Sequence, residues 1–261
     1  MSYWPRSTTE KIWARICSIW LAVTLSVFKL LAFPLYYYLL SVRSLRNDNR
    51  AHQLNRIWAQ TILMICGIRV EVTGRHHLQK GGPFVYVPNH NSYLDIPVCY
   101  LAFPGSFRFI GKKELNKVPL FGWMYERLYI TVNRSSKMDS YRSFIRAAEK
   151  LRDGISMVIY PEGTIASHKK VLSKFKDGAF KVALETKSPL VPVSIIFSDR
   201  VLPEDGMFSI YPGKIQVIIH EPIPTQNLTE NELEDLKNKV QQILFNTLAP
   251  YYDHEDYRRT H

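Results

Sequence analysis

His90 and Asp95, five positions apart, fall in the segment Pro88-Asn89-His90-Asn91-Ser92-Tyr93-Leu94-Asp95-Ile96-Pro97, directly after a short β-branched run. An imidazole paired with a carboxylate makes a general base. The carboxylate keeps one ring nitrogen protonated and leaves the other free to take a proton from an attacking hydroxyl. Five residues on a continuous helix turn about 140°, so the two side chains meet only if His90 precedes the helix and folds back. Ser92 and Asp95 have capping-box spacing and Pro97 is tolerated only near a helix start, which predicts a helix beginning between Ser92 and Asp95. The chain has eight histidines, so an Asp at this spacing arises readily by chance and the pair alone assigns nothing.

An enzyme nucleophile is not evident. There is no Gly-x-Ser-x-Gly elbow, and Cys17, Cys66 and Cys99 lie in apolar runs without an activating neighbour. Their spacing suits neither a metal site nor a disulfide framework, so a reducing compartment is the simpler reading. His76 and His77 lack Cys or acidic partners at ligand spacing and read as surface residues on a loop. The expectation is chemistry with neither metal nor cofactor.

The elements that must position His90 and Asp95 alternate in type. Strand-like runs recur at residues 68–72, 83–87, 107–110, 128–132, 155–160, 190–197 and 214–220. Helical patterns lie between several of them, notably at 140–152 and 176–187, and Thr229 with Glu232 forms a capping-box pattern ahead of a last amphipathic helix. This alternation predicts an α/β fold with a mixed, largely parallel sheet of about seven strands flanked by helices. His90 then sits in a strand-to-helix turn, where α/β sites are built.

The N-terminal part differs. Residues 16–40 are almost uninterrupted apolar and aromatic, long enough to cross a bilayer, but Lys29 and Pro34 interrupt them. Lys11, Arg15, Ser18, Ser26 and Lys29 fall along one helical stripe broken only by Ala22, which favours a helix lying in the interface or dipping part-way. Four of the five tryptophans (Trp4, Trp13, Trp20, Trp58) occur in the first 58 residues, as rings at headgroup level would. Arg43, Arg46, Arg50 and Arg56 follow, and a second apolar stretch at 58–68 completes a predicted two-helix hairpin with a basic connector for anionic headgroups. The expected division is a membrane-associating hairpin at 1–67 and a catalytic domain at 68–261. The protein should bind membrane lipids on a cytoplasmic face, monotopically or by partial insertion.

The formal net charge is +11, and between Lys112 and Lys187 there are 16 Lys/Arg against 8 Asp/Glu. Such an excess suits an anionic lipid surface, a phosphorylated substrate or a nucleic acid. The apolar N-terminus sets nucleic acid aside.

Further motifs stand at the ends of the predicted strands: Gly111-Lys112-Lys113-Glu114-Leu115, Pro119-Leu120-Phe121-Gly122-Trp123, Val132-Asn133-Arg134, Tyr160-Pro161-Glu162-Gly163-Thr164 and Val191-Pro192-Val193. With His90 and Asp95, and in this order over roughly residues 68–220, they resemble the glycerolipid acyltransferase family, most closely its lysophosphatidic acid (1-acylglycerol-3-phosphate) acyltransferases. The resemblance implies that His90 is the base and Asp95 its orienting partner. It implies that Arg134, with Lys112 or Lys113, contacts the acceptor's phosphate, and that Glu162, Gly163 and Thr164 help bind the glycerol phosphate. Phe175-Lys176-Asp177-Gly178-Ala179-Phe180 also fits, as a segment shaping the substrate region. The family's donors are acyl-coenzyme A or acyl carrier protein, its fold is a mixed sheet surrounded by helices, and some members carry an N-terminal two-helix membrane motif. The implied reaction is transfer of a fatty acyl group to the sn-2 hydroxyl of lysophosphatidic acid, giving phosphatidic acid in phospholipid biosynthesis. One position departs: the family commonly has Arg after Glu-Gly-Thr, and here Ile165 stands there, followed by His168, Lys169 and Lys170. The alternatives are another lysophospholipid or an acylated amino-acid lipid as acceptor, or a lipid-binding protein without catalysis.

Overall fold

A computed structural model describes residues 7–41, 48–79, 81–119, 121–133, 135–165, 171–203 and 209–252. Its strands are β1 (Ile68–Thr73), β2 (Val85–Pro88), β3 (Phe107–Lys112), β4 (Ile130–Val132), β5 (Ser156–Val158), β6 (Leu190–Ile196) and β7 (Gly213–Ile219). Its helices are α1 (Thr8–Ser41), α2 (Asp48–Ile65), α3 (Asp95–Ala102), α4 (Phe121–Leu128), α5 (Lys137–Arg152), α6 (Gly178–Thr186), α7 (Ser198–Val201) and α8 (Leu233–Tyr252). The described residues form one seven-stranded sheet in the order β1-β7-β6-β2-β5-β3-β4. Every neighbouring pair is parallel except β6 with β7, so β2 lies in the middle and β2, β3, β4 and β5 all end on the same edge. The predicted mixed, largely parallel sheet is what forms.

Alternation along the central strands explains why both faces are covered. Val85 and Val87 of β2, with Met157 of β5, join Phe180, Val240 and Leu244 in one core, which α5, α6 and α8 cover. Tyr86 and Val158 point the other way, joining Val98, Phe103 and Phe109 in a second core under α2 and α3. β6 is buried along its whole length, and its run of Leu, Val and Ile serves both cores.

Several expected boundaries move. The stretch at 128–132 is divided, because Leu128 ends α4 and the strand starts at Ile130. The strand expected at 83–87 begins at Val85. α5 starts three residues before the expected 140, where Ser136 Oγ accepts the Asp139 N–H as an N-cap. The capping box of Thr229 and Glu232 is present, but it opens a short 3-10 turn before α8.

The N-terminal part contains two helices whose bounds differ from those expected of the hairpin. α1 runs unbroken through Pro34, and α2 begins at Asp48 rather than near Trp58. Trp4, Arg43 and Arg46 lie outside the described residues. Arg56 does not belong to a headgroup-facing connector. Its guanidinium donates to the Tyr100 and Phe103 carbonyls at 2.8 and 2.7 Å and so satisfies the C-terminal end of α3. Ser18, expected on a polar stripe, accepts the Ile210 N–H at 3.0 Å and docks α1 on the domain. α2 is also part of the domain's cover: Ala59, Ile62, Leu63 and Cys66 are buried in the core over the sheet. A chain of hydrogen bonds fixes the assembly, with Tyr36 Oη donating to Asn55 Oδ1, Asn55 Nδ2 donating to Tyr100 Oη, and Tyr100 Oη meeting Tyr129 Oη. Outward, α1 exposes Ile12, Trp13, Ile16, Ile19, Trp20, Leu30, Leu31 and Leu35. Among the described residues no helix is long and apolar enough to cross a membrane.

Candidate active site

The chain leaves the sheet after β2 through a clamp. Asn89 donates from Nδ2 to the Ile195 carbonyl at 2.9 Å and accepts the Ile195 N–H on Oδ1 at 2.7 Å, so a side-chain amide extends the ladder where the main chain departs. The next residue, His90, therefore starts at the carboxyl edge of the sheet. α3 begins at Asp95, inside the interval that the sequence predicts.

Asp95 is fully buried, and its Oδ2 accepts three hydrogen bonds: from His90 Nδ1 at 2.8 Å, from Asn91 N–H at 2.8 Å and from Ser92 N–H at 3.0 Å. Only half of the expected capping box forms. The carboxylate reaches back to the Ser92 N–H, but Ser92 Oγ donates to the Leu202 carbonyl at 2.9 Å and accepts the Leu94 N–H. Two main-chain donors and the imidazole all converge on Oδ2, each charge-assisted bond contributing about 1.5–3 kcal/mol, while Oδ1 is buried without a partner among the described residues. The third bond fixes the His90 tautomer, which leaves Nε2 as the basic atom. The imidazole stacks on Tyr160 with centroids 3.9 Å apart and planes 19° apart, and its side chain is 12% exposed. It is thus held on one edge and one face, and a small part of the ring is exposed.

Glu162 holds the same histidine from another side. Its Oε1 accepts the His90 N–H at 2.9 Å and its Oε2 accepts the Ser173 N–H at 2.7 Å. Burial pushes this carboxyl up, and the Ser173 and His90 N–H donors oppose the shift. Both oxygens serve the backbone, so the structure gives Glu162 a scaffolding position beside the base. Gly163 follows with φ +75°, and a Cβ there would lie 2.7 Å from Lys176 Nζ and 3.0 Å from Lys176 Cδ. The glycine therefore lets an exposed lysine lie across the motif. Thr164 is exposed and Ile165 half-buried.

Lys112 ends β3 and Lys113 opens the 3-10 turn after it, both exposed. Asn133 N–H donates to Asp139 Oδ2 at 2.6 Å. That bond is the main reason the Asp139 carboxyl lies below its ordinary range, with Lys113, Arg146 and Arg142 adding to it. Lys113 is therefore close enough to the start of α5 for its charge to reach Asp139. Arg134 itself, with His168, Lys169 and Lys170, lies outside the described residues.

Cys99 is near but unsuited to attack, because burial pushes its thiol well above the ordinary range. The sequence assigns no task in the site to Asn89, Asn91 or Tyr160, and Lys176 enters it only within the segment at 175–180 that the resemblance implies shapes the substrate region. Asn89, Asn91 and Tyr160 adjoin motif residues, but spacing does not say that an amide continues a ladder or that a ring lies under the imidazole.

The acyltransferase family profile matches residues 69–196. The chain is 31% identical over 174 residues to the chloroplastic 1-acyl-sn-glycerol-3-phosphate acyltransferase LPAT1 of Arabidopsis thaliana, a match covering 66% of this chain and 48% of that protein. An uncharacterized acyltransferase of Schizosaccharomyces pombe is 30% identical over 200 residues, covering 75% of this chain and 70% of that one. The chain thus spans about half the length of the plant relative and most of the yeast one. The crystal structure of the 1-acyl-sn-glycerophosphate (LPA) acyltransferase PlsC from Thermotoga maritima has the same fold, with a TM-score of 0.76 over 92% of this chain and 97% of that one, at 24% identity.

Proposed function

This chain belongs to the acyltransferase family, and from that premise we propose that it transfers a fatty acyl group from acyl-coenzyme A or acyl carrier protein to the sn-2 hydroxyl of lysophosphatidic acid, giving phosphatidic acid. The observation that carries this reading is the triple hold on Asp95 Oδ2, which presents His90 as a base of fixed tautomer at the open edge of the sheet. Nε2 removes the hydroxyl proton as the lipid oxygen attacks the thioester carbonyl and a C–O bond forms. Collapse of the tetrahedral intermediate breaks the C–S bond, and the imidazolium returns the proton to the departing thiolate. The balance closes with an ester and a free thiol, and no covalent bond to the enzyme is needed.

Lys112, Lys113 and Arg134 are the proposed contacts for the acceptor's phosphate, Gly163 and Thr164 are proposed to help bind the glycerol phosphate, and Lys176, which lies across Gly163, is a further cation. The exposed apolar side chains of α1 support attachment to a membrane surface, where both the acceptor and the product reside.

Ile165 favours a second reading with the same chemistry and a different acceptor, since a residue without charge stands where relatives commonly carry a guanidinium. A panel with the purified full chain separates the two. Lysophosphatidic acid, a zwitterionic lysophospholipid and a phosphate-free monoacylglycerol are each offered with acyl-coenzyme A or acyl carrier protein, and thiol release and ester formation are followed. Lysophosphatidic acid should be the best acceptor. Ester formed mainly on the other lipids would support the second reading, and thiol release that no acceptor accelerates would leave both without foundation.

A further inference from the structure

His90 is held by its Nδ1 on Asp95 Oδ2 at 2.8 Å and by its main-chain N–H on Glu162 Oε1 at 2.9 Å. Neither bond fixes the plane of the ring. A single hydrogen bond at Nδ1 sets one direction within the imidazole and leaves it free to tilt about the Nδ1···Oδ2 line, which swings Nε2. The contact that opposes this tilt is a face. The Tyr160 phenol lies against the imidazole with centroids 3.9 Å apart and planes 19° apart.

Tyr160 is itself held from several sides. One residue before it the Ile159 N–H donates to the Tyr86 carbonyl at 3.0 Å, so the chain still runs alongside β2 as it reaches the ring. The Tyr160 carbonyl accepts the Gly163 N–H at 3.1 Å, which closes the turn carrying Glu162. At the far end of the ring Oη meets the buried Cys99 Sγ of α3 at 3.6 Å, and the Phe109 ring of β3 lies nearly parallel at 6.3 Å. The phenol is therefore a fixed surface for the imidazole. Burial pushes its hydroxyl well above the ordinary range, so the group stays neutral and offers a π face and not a charge. Such a face attracts a cation, and His90 is one only after Nε2 has taken a proton. The stack thus favours the protonated ring that the transfer passes through over the neutral ring from which it starts.

We propose that Tyr160 is a positioning residue for acyl transfer: its face fixes the plane of the His90 ring and stabilises the imidazolium formed during the reaction. The kinetic part rests on the acyl-transfer reading; the placement of the ring does not. The test uses the full chain with Tyr160→Leu, which removes the aromatic face, and Tyr160→Phe, which keeps the face and loses the Cys99 contact. Phenylalanines bearing increasing numbers of ring fluorines at the same position keep the shape and withdraw electron density from the face. Tyr160→Phe should retain kcat within roughly threefold, and Tyr160→Leu should lower it roughly tenfold or more with KM for donor and acceptor little changed. Along the fluorine series kcat should fall stepwise. The carbon-bound ring protons of His90, assigned by their loss in His90→Ala, should resonate upfield in the wild type and in Tyr160→Phe and move downfield in Tyr160→Leu. If Tyr160→Leu does not fold, Tyr160→Met carries both measurements. Unmoved resonances, or equal kcat in the Leu and Phe variants, would overturn the positioning role, and a kcat indifferent to fluorine would overturn the stabilisation of the imidazolium. A wild-type protein with no acyl transfer would overturn the functional reading instead, and the resonances would still decide the placement of the ring.

Discussion

Glu162 grips His90 by its main chain and not by its ring: Oε1 accepts the His90 N–H at 2.9 Å while Oε2 accepts the Ser173 N–H at 2.7 Å. Glu162→Gln keeps the shape but presents an NH2 to one of two N–H donors. The buried mismatch should cost about 1–3 kcal/mol of stability. It should also lower kcat at least several-fold by releasing the backbone of the base, with stability followed by thermal unfolding and kcat by thiol release.

His90→Ala should lower kcat by about 10²–10⁴-fold while the fold persists, since the side chain supplies the base and lies at the open edge of the site. Asp95→Asn should be severely impaired as well. An amide oxygen in the place of Oδ2 can meet the same three donors but lacks the charge that strengthens those bonds, and in the flipped amide an NH2 faces His90 Nδ1 and selects the wrong tautomer. Near-wild-type turnover in His90→Ala would dispose of the mechanism.

Gly163→Ala should destabilise the loop by about 1–3 kcal/mol, because a φ of +75° disfavours any Cβ and this one would press on the Lys176 side chain. Lys176→Ala in the same chain removes the second penalty and not the first. A double-mutant comparison of thermal midpoints should therefore recover part of the loss.

His52 should make the protein sensitive to acid. It lies between Tyr100 and Phe107 and accepts the Phe107 N–H on Nε2 at 3.3 Å. Burial lowers its pKa from 6.5 to about 3, with Arg108 and Arg56 adding to the shift. The unfolded chain takes up this proton below about pH 6.5 and the folded ring refuses it until about pH 3, so stability is lost as the pH falls through that window. His52→Gln does not titrate there. Its thermal midpoint should fall less than the wild type's between pH 7 and pH 4.5.

Leu30 and Leu31 of α1 are 60% and 74% exposed and meet no core. Leu30→Lys with Leu31→Lys should leave the unfolding midpoint of the detergent-free domain within about 0.5 kcal/mol and shift the protein from vesicles to the supernatant in a flotation assay. Unchanged flotation would show that the apolar face of α1 is not what meets lipid.

The sequence by itself determined the class of fold and the place of the reacting pair. Seven short apolar runs separated by helical periods admit little besides a covered, largely parallel sheet. The strand-to-helix turn required His90 to precede a helix starting at or before Asp95. Both follow from local rules: side-chain period, capping chemistry and the reach of a five-residue step. What holds the pair came from long-range contacts. Glu162 reaches His90 over 72 positions, Asn89 reaches Ile195 over 106, and Tyr160 comes under the imidazole because β5 lies beside β2. A motif shows that Glu162 matters but not which atom it binds, since that depends on which strands the sheet sets side by side. The tertiary structure likewise turned Arg56 from a headgroup cation into the cap of α3, and made α2 part of the cover over the sheet. A one-dimensional pattern records that a residue is polar or apolar; only packing decides which neighbour satisfies it.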